Sequence, residues 1–154
     1  MIKPSRISFG GTAAIVTSMA LIAGLDAANA GKANMVSALL IAAVADNLTD
    51  SLSVHMYQES ERLERKEAFV GTLTNFATRL IGCLSFVLIV VLFPGHVALW
   101  GLVWGTSLLV ILTCVLARYR KVSLMSEVGK HLGVALAIIF VSQYIGHWIA
   151  AHVA

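Results

Sequence analysis

The sequence predicts an all-α integral membrane protein, a bundle of five transmembrane helices with its N-terminus in the cytoplasm and its C-terminus outside. Hydrophobic residues make up 58% of the 154 residues and charged residues 12%, compared with roughly 25% charged residues in soluble domains. A soluble domain of this length leaves much of its surface in water, so the apolar surplus has to face lipid. Long apolar runs favour helices, which satisfy their own backbone hydrogen bonds in hydrocarbon.

Five apolar runs are long enough to cross a bilayer core, which requires roughly 20 residues of helix. Together they predict a single transmembrane domain over residues 1–154, with helices at about 7–27, 33–56, 69–93, 97–117 and 131–153. The first run has one alternative reading. Basic residues precede it and Ala28-Asn29-Ala30 follows it, as in a signal peptide with its cleavage site, and four helices would then remain.

The positions of Lys and Arg predict the orientation, because cytoplasmic loops are enriched in both. Five crossings place nine of these residues on the N-terminal side: Lys3, Arg6, Arg62, Arg65, Lys66, Arg118, Arg120, Lys121 and Lys130. Only Lys32 falls on the other side, and Arg79 lies within the third run. The basic residues thus belong to short loops, whereas nucleic-acid binding needs a basic face on a folded soluble domain.

No sequence motif supports an enzyme. The chain has no Walker loop, dinucleotide fingerprint, nucleophile elbow or CxxC pair. Its two cysteines, Cys83 and Cys114, fall inside apolar runs and are typical of small buried hydrophobes. We therefore expect neither catalysis nor a permanently bound cofactor.

The second helix carries two acidic residues at membrane depth. Asp46 and Asp50 are four residues apart and share one helical face. Ionisable groups at this depth are costly and mark ion paths or buried pairs. With the side-chain oxygens of Asn47 and Thr49, they offer hard ligands for a divalent cation. These four residues are the predicted metal ligands, although either carboxylate could exchange a proton instead.

A structural ion pair is the alternative explanation for one of these carboxylates. Arg79 lies about as deep in the third helix as Asp46 lies in the second, so it is the predicted structural counter-charge for Asp46. Asp50 should lie shallower and lack such a partner, which favours it as the cation ligand. Nearer the cytoplasm, His55, Met56 and Glu59 are either the first ligands that an ion meets or ordinary polar residues of the interface.

Three segments resemble the vacuolar iron transporter family. The turn LIAGLDAANAGKA, 21–33, and the helix exit SVHMYQESE, 53–61, resemble its first two helices, and 129–150, with Tyr144 and Gly146, resembles its closing helix. The resemblance implies a homodimer that moves Fe²⁺ or Mn²⁺ out of the cytoplasm in exchange for protons. The chain departs from the family in having Ala13 where the first helix carries an Asp, and only residues 62–68 where many members insert a metal-binding domain.

These observations leave three functions open. The leading prediction is a divalent-cation transporter in a bacterial inner membrane, which uses Asp50 and Asp46. The second is a non-transporting membrane scaffold or assembly partner, in which Asp46 and Arg79 pair only for packing. The third is a proton-coupled carrier of small organic solutes, with Asp50 as the proton site.

Overall fold

The computed structural model describes residues 4–61, 64–93 and 95–153, with side chains from Phe9 onward. Lys3, Arg62 and the side chain of Arg6, which entered the prediction of orientation, lie outside the described residues. The described chain is helical and without strands, and it forms five helices long and apolar enough to cross a membrane. The predicted all-α class with five membrane-spanning helices is therefore confirmed, while the orientation stays a prediction. The helices are α1 Pro4–Ala27, α2 Lys32–Ser60, α3 Arg65–Leu92, α4 Val97–Arg120 and α5 Leu124–His152.

All five helices extend beyond the predicted apolar runs, mainly at the end that carries the basic residues. Helix α2 continues to Ser60, α4 to Arg120, and α5 begins at Leu124. Apolar runs mark only the part of a helix inside hydrocarbon, whereas polar turns continue it into the headgroup region. At 29 residues, α2 is about 44 Å long, close to the thickness of a bilayer with its headgroups.

Two helices end in a left-handed residue that stops the helix sharply. Asn29 follows α1 with a φ of 57°, and the Ala30 amide donates to the Leu25 carbonyl. Lys121 follows α4 with a φ of 56°, and the Val122 amide donates to the Ala117 carbonyl. Such bonds satisfy carbonyls of the last turn, and Asn adopts this conformation more readily than most residues.

Helix α1 is the central helix of the bundle. It packs against α3, α4 and α5 to similar extents and buries Met19, Ile22 and Ala23 almost completely. Gly101 and Gly105, the GxxxG pair of α4, face Ile22 and Met19 of α1. The small residues of α4 therefore serve packing within the chain, as close helix approach in membranes requires. Cleavage after α1, the alternative reading of the first run, would remove the helix that these three others share.

Helix α2 lies at the edge of the bundle and packs mainly against α3. The two run antiparallel, since the Lys32 amine at the start of α2 donates to the Val91 carbonyl near the end of α3 at 2.9 Å. A π-helical segment, Ala42–Asp46, interrupts α2 in its middle, and the Asn47 amide donates to the Ala42 carbonyl, five residues back.

Buried residues of α2 recur every four positions: Met35, Leu39, Ala43, Asn47 and Ser51. In a straight α-helix a row spaced by four drifts by about 40° per step, because 3.6 residues make one turn. The wider π turn takes up part of this drift. The buried row therefore stays directed at α3 along the whole helix. Its polar members, Asn47 and Ser51, lie on the same face of α2 as its apolar members, Met35, Leu39 and Ala43.

Candidate cation site

Polar side chains line the interface between α2 and α3, from the middle of the two helices toward the C-terminal end of α2. We call this row the polar seam: it comprises Asp46, Asn47, Asp50, Ser51, His55 and Gln58 of α2 with Thr72, Asn75 and Arg79 of α3. Asp46 and Arg79 are both the fifteenth residue of their helices, which have 29 and 28 residues. The charged part of the seam therefore lies near the middle of both helices, at the depth where charges are costly.

Arg79 is the centre of the seam. Its Nη2 lies 2.5 Å from Asp46 Oδ2, and its Nη1 lies 2.9 Å from Asp50 Oδ2. The predicted contact between Asp46 and Arg79 is present. The prediction that Asp50 lacks such a partner is wrong. Because residues four apart share a helical face, both carboxylates reach α3, and the two terminal nitrogens of one guanidinium can donate to both.

Asn75 is a site residue that the sequence reasoning missed. Its Nδ2 donates to Asp50 Oδ2 at 3.1 Å and lies 3.3 Å from Ser51 Oγ. Asn75 precedes Arg79 by four residues and is 2% exposed, so the two occupy one buried face of α3. The available signal was this i,i+4 spacing of two polar residues in an otherwise apolar run.

The structure separates the other two predicted metal ligands from the carboxylate pair. Asn47 is fully buried, and its Nδ2 donates to the Phe76 carbonyl at 2.9 Å while its Oδ1 accepts from Ser51. Thr49 lies on the exposed side of α2, and its hydroxyl donates to the Ala45 carbonyl at 3.0 Å. Asn47 thus fastens α2 to α3, and Thr49 bonds within its own helix. Among the described residues, no three His, Cys, Asp or Glu side chains come together as a metal site.

His55 and Glu59 form a smaller pair nearer the C-terminal end of α2. His55 Nδ1 lies 3.2 Å from Thr72 Oγ1, and His55 Nε2 lies 3.5 Å from Glu59 Oε1. Met56 is exposed on the outer side of the helix. Of the three residues predicted to meet an incoming ion first, the structure therefore brings two into contact.

Three buried side-chain atoms of the seam have no hydrogen-bond partner: Gln58 Oε1, Asn75 Oδ1 and Arg79 Nε. Buried polar atoms in native proteins are nearly always bonded, so water or an ion is the usual explanation for such a group. Helix α1 closes the seam from the inside through Gly10. A Cβ atom at Gly10 would lie 2.7 Å from the amide oxygen of Asn75, so only glycine permits this approach.

Charge and exposure divide the seam into an inner and an outer part. Two carboxylates (−2) and one guanidinium (+1) give the group of Asp46, Asp50 and Arg79, the charged triad, a formal charge of −1. The Arg79 side chain is 6% exposed, while those of Asp50 and Asp46 are 26% and 54% exposed. The excess negative charge therefore lies toward the outer side of α2, which the other helices of the chain leave uncovered.

Comparison with protein-family models, curated proteins and solved structures finds no match to this chain. Its assignment therefore depends on its own geometry. The five long apolar helices indicate a multi-pass membrane protein, with charged side chains paired near the middle of two of these helices.

Proposed function

We propose that the chain is a homodimeric transporter that moves divalent cations, Fe²⁺ or Mn²⁺, out of the cytoplasm of a bacterium in exchange for protons. The observation that carries the proposal is the formal charge of −1 on the charged triad near the middle of its helices. A charged side chain at the bilayer centre costs about 2.5–3.5 kcal/mol on insertion scales. A structural role needs one carboxylate for one guanidinium, whereas the second carboxylate leaves a place for an exchangeable cation.

The chemistry of the two carboxylates supports the choice of ion. Carboxylate oxygens favour hard divalent cations such as Mn²⁺, and the triad has no thiolate that would favour a softer metal. The resemblance to vacuolar iron transporters adds Fe²⁺ and the proton as coupling ion. Two carboxylates do not complete the coordination of such an ion. Because Asp46 faces outward from α2, a second copy of the chain can supply remaining ligands.

Transport by purified protein in proteoliposomes tests the proposal. Uptake of Fe²⁺ and of Mn²⁺ is measured with and without a pH gradient, and vesicles without protein give the background. We expect saturable uptake that a pH gradient accelerates in one direction and slows in the other. Well-folded protein that takes up neither ion under any gradient contradicts the proposal.

The second candidate is a non-transporting membrane scaffold or assembly partner. It is favoured by the engagement of both carboxylates with Arg79 and by the absence of a three-ligand cluster among the described residues. Neutral replacement of a complete buried ion cluster is often tolerated. A scaffold should therefore keep its fold and its partners when Asp46→Asn, Asp50→Asn and Arg79→Gln are combined, and metal should not affect it. A transporter with this triple change should fold but lose uptake.

A further inference from the structure

We propose that Arg79 is a tethered counter-cation that occupies the carboxylate pair when no ion is bound, and that an incoming divalent cation must displace it. The inference rests on the proposed function and adds a specificity-determining residue to it. Arg79 would then set both the affinity of the site and its discrimination between divalent and monovalent cations.

Competition follows from the atoms that Arg79 uses. Its two terminal nitrogens contact the Oδ2 atoms of Asp46 and Asp50 at 2.5 and 2.9 Å. A cation that binds these same two oxygens has to take the place of the guanidinium. Because like charges in close contact repel strongly where water is excluded, the bound ion and the guanidinium cannot share this position.

Displacement does not have to separate α2 from α3. Five other hydrogen bonds link the two helices in the described part of the chain: Lys32 to the Val91 carbonyl, Asn47 to the Phe76 carbonyl, His55 with Thr72, Asn75 to Ser51, and Asn75 to Asp50. Only the last involves a carboxylate of the triad. Arg79 is also incompletely satisfied where it lies, since its buried Nε has no partner. The guanidinium can therefore leave the carboxylates while the helix pair stays assembled.

The exposure of the triad indicates which of its members an ion contacts first. Asp46 is 54% exposed and Arg79 only 6%, so a cation that reaches the triad contacts the Asp46 carboxylate before it contacts the guanidinium. A divalent ion carries twice the charge of the guanidinium and competes for both carboxylates. A monovalent ion offers no more charge than Arg79 already supplies, and it is excluded. Discrimination by a built-in competitor is a general route to specificity.

The test is the affinity for Mn²⁺ of the purified full-length protein and its variants, measured from the signal of free Mn²⁺ by electron paramagnetic resonance. Arg79→Gln removes the competitor, and we expect it to bind Mn²⁺ about tenfold more tightly or better. Na⁺ should also weaken the binding of Mn²⁺ to Arg79→Gln, whereas it should not affect the binding of Mn²⁺ to the wild type. Arg118→Gln, a change of the same charge at an exposed position near the end of α4, is the matched control and should behave like wild type.

Arg79→Lys keeps the experiment decisive if Arg79→Gln does not fold. The ammonium group preserves the charge but lacks the fork that reaches two carboxylates at once, so Mn²⁺ affinity should rise by a smaller factor. If Arg79 had only a structural role, its replacement would lower the affinity for Mn²⁺ or leave it unchanged. Unchanged or weaker Mn²⁺ binding by folded Arg79 variants, beside saturable uptake by wild type, overturns this inference alone. Absence of Mn²⁺ binding and uptake in wild type and all variants overturns the proposed function as well.

Discussion

At the scale of single residues, the three members of the charged triad contribute unequally to the stability of the fold. Loss of Asp46 or Asp50 leaves Arg79 with one carboxylate, which is a neutral pair. Loss of Arg79 leaves two carboxylates with no counter-charge, Asp50 partly buried and Asp46 more exposed. Removal of one partner of a buried ion pair is costly because the charge that stays behind is unpaired.

We therefore expect Arg79→Gln to lower the free energy of unfolding by about 3–5 kcal/mol, and Asp46→Asn or Asp50→Asn by clearly less. Denaturant titration in detergent, followed by Trp fluorescence, measures the three values. Adding Asp46→Asn to Arg79→Gln should recover part of the loss. An Arg79→Gln protein as stable as Asp46→Asn would show that the guanidinium does not neutralise both carboxylates.

Asn47 provides a second test at this scale. The side chain is fully buried and joins α2 to α3 through the Phe76 carbonyl, so Asn47→Leu should cost about 1 kcal/mol, a typical value for such bonds in membranes. Thr49→Ala removes a hydroxyl that bonds only within its own helix and is the matched control. A thermal melt in detergent should separate the two variants; equal melting temperatures would contradict the role assigned to Asn47.

The sequence predicted the pairing of Asp46 with Arg79 because their depths match. It did not predict the second contact of Arg79, since depth matching assigns one partner to one charge while a guanidinium has donors for two. Nor did it predict Asn75, whose role depends on which face of α3 meets α2. The sequence also did not predict the hydrogen-bond partners of Thr49 and Asn47. Both side chains have oxygen atoms that could bind a cation, and only the packing of the helices decides where these atoms point.

At the scale of the helices, the crossing of α1 and α5 depends on two glycines. A Cβ atom at Gly146 would overlap the Gly24 carbonyl oxygen and crowd Ala27. We expect Gly146→Ala to lower the free energy of unfolding by about 1–3 kcal/mol, the usual cost of overpacking. Gly133 lies on the same helix with nothing near its missing Cβ, so Gly133→Ala should be neutral or stabilising by up to about 1 kcal/mol. Thermal unfolding of both variants checks the crossing, and similar destabilisation by both would contradict it.

The existence of the helices followed from the apolar runs, while their ends and the π-helical segment did not. Polar turns such as Tyr57 to Ser60 continue α2 because helix formation does not require apolar side chains outside hydrocarbon. The π-helical segment Ala42–Asp46 adjusts the buried row of α2 to α3. It is a consequence of tertiary packing, which no local pattern in the sequence encodes.

At the scale of the whole molecule, the basic residues predict that the loop between α4 and α5 faces the cytoplasm and that the loop between α1 and α2 faces outward. In a background without the two native cysteines, Cys83 and Cys114, single cysteines at two exposed loop positions test this: Asn29→Cys and Val122→Cys. A membrane-impermeant maleimide added to intact cells should label Asn29→Cys. It should label Val122→Cys only after the membrane is opened. The reverse labelling pattern would show that the bundle has the opposite orientation in the membrane, and it would contradict the proposed direction of transport.

The proposed transport of divalent cations depends on the carboxylates of α2. Mn²⁺ uptake into proteoliposomes tests this claim most directly when Asp50→Asn is compared with Asp26→Asn, a change of the same chemistry at an exposed position near the end of α1. We expect saturable uptake by wild type and by Asp26→Asn, and uptake at the protein-free background for Asp50→Asn. Uptake by Asp50→Asn at the wild-type rate would contradict the claim and place any transport path away from the polar seam.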